Sequence, residues 1–120
     1  MSYVFDVGDD TVWSPALRVG RLYVAGVTSL AEVFGIDAGL RAVAADMYSI
    51  DLDAFEAFTA RLFAEYFRSH HDVARLLLAG VLQPSLIMLE RAGRAIEPED
   101  DEQRRFLSDT KEFLGSLPRL

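Results

Sequence analysis

The stretch "IDAGLRAVAADMYSI", Ile36 to Ile50, decides whether this chain is helices alone or helices with a sheet. It reads as a short helical turn followed by an extended piece, Met47–Ile50. The natural place for that piece is as a third strand beside a ribbon formed by the N-terminus. In "SYVFDVGDDTVW" the residues Tyr3, Phe5 and Val7 alternate with Val4 and Asp6, and aromatic and β-branched residues in alternation favour a strand. "VGDDT" supplies a turn, and Thr11 to Trp13 a return strand. A lone hairpin is marginal in water, so the ribbon has to lean on helices.

Helical patterning fills most of the rest. In "SPALRVGRLYVAGVTSLAEVFG", Ser14 suits an N-cap, Pro15 a first helical residue and Gly35 a stop. At about 100° per residue, Arg18, Arg21, Thr28, Ser29 and Glu32 share one narrow polar face. Val19, Leu22, Tyr23, Val27, Leu30 and Phe34 occupy the broad remainder, with Gly20 and Gly26 among them. Glycine inside a helix costs up to ~1 kcal/mol relative to alanine, so a closely approaching neighbour is expected at both.

"DLDAFEAFTARLFAEYFRS" is amphipathic: Leu52, Phe55, Phe58, Leu62 and Tyr66 form a stripe that Phe63 and Phe67 widen. Asp53 with Glu56 fits a capping box, with Asp51 as the alternative cap. The run Leu76–Leu89 is apolar on every side apart from Gln83 and Ser85. At fourteen residues between Arg75 and Glu90 it is too short to span a bilayer, and it reads as a buried helix. Pro84 should kink it, because proline has no N–H for the Gly80 carbonyl. A last helix starts after Pro98, in the acidic run Glu99–Glu102, where the helix dipole favours negative charge. Its narrow stripe is Phe106, Leu107, Thr110, Phe113 and Leu114, ended by Gly115 and Pro118. The expected fold is mainly α: one domain, residues 1–120, a bundle of about four helices with a small N-terminal β-ribbon.

Composition excludes several chemistries. There is no cysteine, hence no disulfide, thiolate nucleophile or zinc–sulfur centre. The net charge is −7 and no basic block is present, which argues against nucleic acid as a partner and suits either a basic protein partner or simply solubility. The first ten residues lack a basic segment followed by an apolar one, so the expected location is the cytoplasm, with no membrane association.

The two histidines, His70 and His71, stand together in "EYFRSHHDV". Neither Glu-x-x-His nor His-Glu-x-x-His is present, so the sequence predicts no metal and no cofactor. A structural joint accounts for the stretch: Ser69 caps a helix beginning at His70, and Asp72 sits in its first turn. Glu56 falls on the edge of the aromatic stripe, where it either reaches solvent, completes the capping box or needs an arginine. No glycine-rich phosphate loop, calcium loop or G-x-S-x-G is present, and no catalytic residue is assigned.

"FDVGDDTVWSP" and "SIDLDAF" resemble a family of short actinobacterial proteins of unknown function, over Phe5 to about Phe55. The resemblance implies a bacterial, cytoplasmic protein and transfers no site residue. The expected function is a non-enzymatic acidic interaction protein, a homodimer that also binds another protein in an immunity or regulatory role. The competing reading is a small-molecule binder or cofactor-free enzyme with an aromatic pocket between helices.

Overall fold

The computed structural model describes residues 2–117. The chain runs β1 (Val4–Val7), β2 (Asp10–Trp13), α1 (Leu17–Phe34), β3 (Leu40–Ala44), β4 (Met47–Ile50), α2 (Leu52–Arg68), α3 (Asp72–Arg91) and α4 (Asp101–Leu114). The four strands form one sheet in the order β2-β1-β4-β3. The fold is therefore mixed α/β rather than a helical bundle carrying a ribbon.

The N-terminal ribbon and the extended Met47–Ile50 are both present, and β4 lies beside β1 as expected. The helical turn expected before it is instead β3, the antiparallel partner of β4. Two hairpins thus join edge to edge, with β1 and β4 parallel at the centre. A parallel pair needs a long crossover, and α1 provides it. Gly39 makes the return possible. It has φ +79°, its carbonyl accepts from Asp51 N–H at 2.7 Å, and a Cβ there would lie 2.6 Å from the Asp51 carbonyl oxygen. Asp37 adds a brace, accepting from Gly39 N–H and pairing with Arg41.

Ser14 and Pro15 do not open α1. The segment before it stays extended, tied by the Ser2–Ala16 bridge and by Tyr3 N–H donating to the Pro15 carbonyl. The N-cap position is Ala16, which gives no side-chain bond, and Ser14 Oγ bonds Ser2 Oγ. Gly35 ends the helix with φ +62°, as expected. Both interior glycines meet a close neighbour. A Cβ at Gly20 would overlap the Tyr3 side chain, and one at Gly26 would lie 2.7 Å from Val81 Cγ2.

The core has two aromatic parts. Phe5 stacks on Trp13 and Tyr48, and Tyr23 of α1 meets Phe5 and Trp13 edge-on. Phe63, Tyr66, Phe67 and Phe106 pack together between α2 and α4, with centroid separations of 4.6–6.3 Å. These aromatic rings pack against one another, and Trp13 and Tyr23 also line a groove described below. On α2, Phe55, Phe58, Leu62 and Phe63 are buried, as the stripe implies.

The N-cap of α2 is Asp51, whose carboxylate accepts from Ala54 N–H; Asp53 lies in the first turn. The Asp53–Glu56 capping box is absent because Asp53 already lies within the helix; both carboxylates pair instead with Arg94, at 3.1 and 2.8 Å. A related cap occurs on α4, where the glutamine bond goes to the residue before the N-cap. Asp100 accepts from Gln103 N–H, and the buried Gln103 side chain accepts from Glu99 N–H. Thr110 is buried and accepts from Gln83 Nε2, while Phe113, expected on the apolar stripe, is 80% exposed. Gly115 follows the last turn with φ −63°; Pro118 lies outside the described residues.

α3 remains helical through Pro84 and is longer than its apolar run. Among the described residues it is the one helix long and apolar enough to cross a bilayer, and 44% of that window is buried within the fold. It is not buried on every side. Its second half is enclosed from Val81 to Leu89, but Val73, Leu76 and Leu77 are exposed.

Candidate functional site: an apolar groove beside α1 and α3

Gly26 of α1 meets Val81 of α3, and a gap opens beside this contact. The gap is a groove of about 430 Å³. Val19 and Leu22 form one wall, Leu77, Gly80 and Pro84 the other; Trp13 and Tyr23 lie at the base, and Leu114 and Leu117 close one end. Leu22, Leu76 and Leu77 are each about 70% exposed, and Val19 and Val73 about half. Leucines exposed this far are grouped here on adjacent helices.

Polar groups at the groove are few. Ser85 Oγ donates to the Val81 carbonyl, so Tyr23 donates its hydroxyl to Ser85 at 2.6 Å. Burial pushes the Tyr23 phenol above its ordinary pKa, and the Ser85 bond offsets only part of that shift. Trp13 is 2% exposed, and its indole N–H has no hydrogen-bond partner among the described residues. Pro84 offers no N–H to the Gly80 carbonyl, and both residues line the groove.

The outer face of α1 continues this surface. Arg18 and Arg21 flank a shallow depression with Leu17 and Leu22. The polar face read from the sequence is exposed, and Leu22 and Ala25 lie within it. Among the described residues Arg18, Arg21 and Glu32 form no ion pair, whereas most other arginines do.

The histidines lie elsewhere, exposed at the joint of α2 and α3. The cap there is His71 rather than Ser69: His71 Nδ1 accepts from Ala74 N–H at 3.3 Å. Ser69 ends α2, and its hydroxyl accepts from His71 N–H. Imidazole can cap as a hydroxyl does because its unprotonated nitrogen is an acceptor. Asp72 occupies the first turn as expected. Arg75 ties the joint together, donating to the Tyr66 and Ser69 carbonyls and lying over the Tyr66 ring. Glu56 pairs with Arg94, in place of the capping box or free solvent exposure that its sequence position also allowed. No group of three or more His, Asp or Glu side chains among the described residues is arranged to hold a metal ion.

A family model, described as "Family of unknown function (DUF6086)", matches residues 1–119. The chain belongs to this family. DUF6086 membership spans nearly the whole chain, beyond the N-terminal half that carried the resemblance, and brings no assigned activity or site residue. No curated protein and no solved structure matches the chain.

Sequence reasoning placed Val19 and Leu22 on an apolar face and the run Leu76–Leu89 inside the fold. It did not single out the groove, because that depends on the α1–α3 contact. The available signal was the spacing of Val73, Leu76, Leu77, Gly80 and Pro84, a helical stripe containing residues suited to close approach.

Proposed function

We propose that this protein is a non-enzymatic, acidic interaction protein that self-associates through the apolar surface of α1 and the first half of α3. It also binds a second, basic protein, in a regulatory or immunity role in the cytoplasm. The observation carrying this reading is the groove lined by the exposed Val19, Leu22 and Leu77, with exposed Leu76 next to Leu77 in sequence. A surface of that kind is most simply covered by a second copy, since two-fold pairing places the same patch on both subunits. The net charge of −7 supports a basic second partner. Light scattering at micromolar concentration tests self-association: the expected mass is twice 13.4 kDa, and a clean single-chain mass overturns it. For the second partner, a pull-down from the native host should recover a basic protein whose retention falls as salt screens the contact. Recovery of only acidic or salt-insensitive proteins speaks against it.

The buried Trp13 N–H, without a hydrogen-bond partner among the described residues and beside a groove of about 430 Å³, favours a second reading, a binder of a small apolar molecule. Trp13 is the sole tryptophan and so reports on the groove directly. Saturable one-to-one binding of an anilinonaphthalene sulfonate to the native protein, with a matching change in Trp13 fluorescence, selects this reading. No binding leaves the groove to protein contacts.

A further inference from the structure

We infer that two copies of the chain pair through α1 laid antiparallel on itself, with the two-fold axis at Ala25. This rests on the self-association proposed above and centres it on the exposed face of α1, at whose edge Leu22 adjoins the groove. The first observation is the order of charge along α1. Arg18 lies in its first turn and Arg21 just beyond; Glu32 lies in its last turn. A helix N-terminus carries partial positive charge and its C-terminus partial negative charge, so all three side chains have the unfavourable sign for their own helix. None forms an ion pair among the described residues to offset this. An antiparallel second α1 reverses the situation. It brings a negative helix end and Glu32 to the arginines of the first copy, and does the same in return.

The second observation is the symmetry of the exposed face. Arg18, Arg21, Leu22, Ala25, Thr28, Ser29 and Glu32 are all exposed. Arg18 and Glu32 each stand seven residues from Ala25, nearly two turns at about 3.6 residues per turn, so the three lie in one line. Arg21 and Ser29 each stand four residues away, and Leu22 and Thr28 three. An antiparallel two-fold at Ala25 therefore sets Arg18 against Glu32 of the second copy and Leu22 against Thr28. Ala25 meets itself, a residue small enough for the helices to approach closely. Val19 and Val33, 48% and 73% exposed, flank the contact. A parallel pair would put Arg18 on Arg18 and Glu32 on Glu32.

The test is charge exchange, followed by sedimentation equilibrium on the full chain. Arg18→Glu alone and Glu32→Arg alone each turn two attractive contacts into repulsive ones. Each should weaken self-association by at least about tenfold, about 1.4 kcal/mol. Both changes give α1 the favourable sign at that end, so the melting temperature of the dissociated chain should not fall. A variant that merely misfolded would lose both. Mixing the two single variants should restore pairing as a heterodimer, and Arg18→Glu/Glu32→Arg in one chain should restore the homodimer. Ala25→Arg should abolish pairing. If the wild type pairs but the charge variants pair equally well, the α1 geometry is overturned and self-association stands. If the wild type remains at 13.4 kDa throughout the concentration range, both readings are overturned.

Discussion

At the scale of single residues, glycine has opposite consequences at two sites. Gly39 has φ +79° and no room for a Cβ, which would press on the Asp51 backbone. Gly39→Ala should destabilise by more than about 1 kcal/mol, from left-handed strain plus the clash. Gly80 is helical, and a Cβ added there would meet nothing within 4 Å among the described residues, so Gly80→Ala should stabilise by up to about 1 kcal/mol. Urea denaturation of both variants checks the pair. Tyr23 gives a pH dependence. Its phenol stays neutral in the fold at pH values where the unfolded chain ionises, so stability is full below about pH 10 and falls above it. Tyr23→Phe should flatten that alkaline slope, at a cost of about 1 kcal/mol at neutral pH for the lost bond to Ser85. Denaturation midpoints measured from pH 8 to 11 would show it.

At the scale of elements, α2 separates packing from capping. Phe58 and Leu62 are fully buried, and truncating either to alanine should cost about 2–5 kcal/mol. Asp51 is the cap, and Asp51→Ala should cost nearer ~1 kcal/mol. Asp53→Ala should cost less than that, since Asp53 is exposed and shares Arg94 with Glu56. Chemical denaturation that ranked Asp53→Ala above Asp51→Ala would mean the helix starts two residues later than the structure places it. On α4 the same logic makes Gln103 more important than its neighbours, because it joins the Glu99–Asp100 cap to the core.

For the whole molecule, self-association couples to stability by mass action. Pairing of folded chains should raise the thermal midpoint as protein concentration rises. A midpoint that does not move over a hundredfold range of concentration would indicate a monomer. On α3 the exposed Val73, Leu76 and Leu77 lie in the first half and most of the buried residues in the second.

What the sequence by itself determined was local. The Tyr3-Phe5-Val7 alternation, the α2 stripe and the acidic start of α4 each follow from periodicity and end effects within a few residues, and each is where periodicity put it. So is the close approach at Gly20 and Gly26, since glycine inside a helix needs a neighbour to offset its cost. Tertiary structure decided the rest. Leu40–Ala44 is a strand because β4 offers it a ladder, and four of its five residues are exposed, so its own hydrophobic pattern carried little signal. Arg94 pairs with Asp53 and Glu56 from across the fold, where the local pattern suggested a capping box. Leu76 and Leu77 look the same in sequence as Leu82 and Leu86, yet the first pair is exposed and the second buried. Hydrophobicity states what a residue gains from burial; only the placement of neighbouring helices determines whether anything is there to bury it.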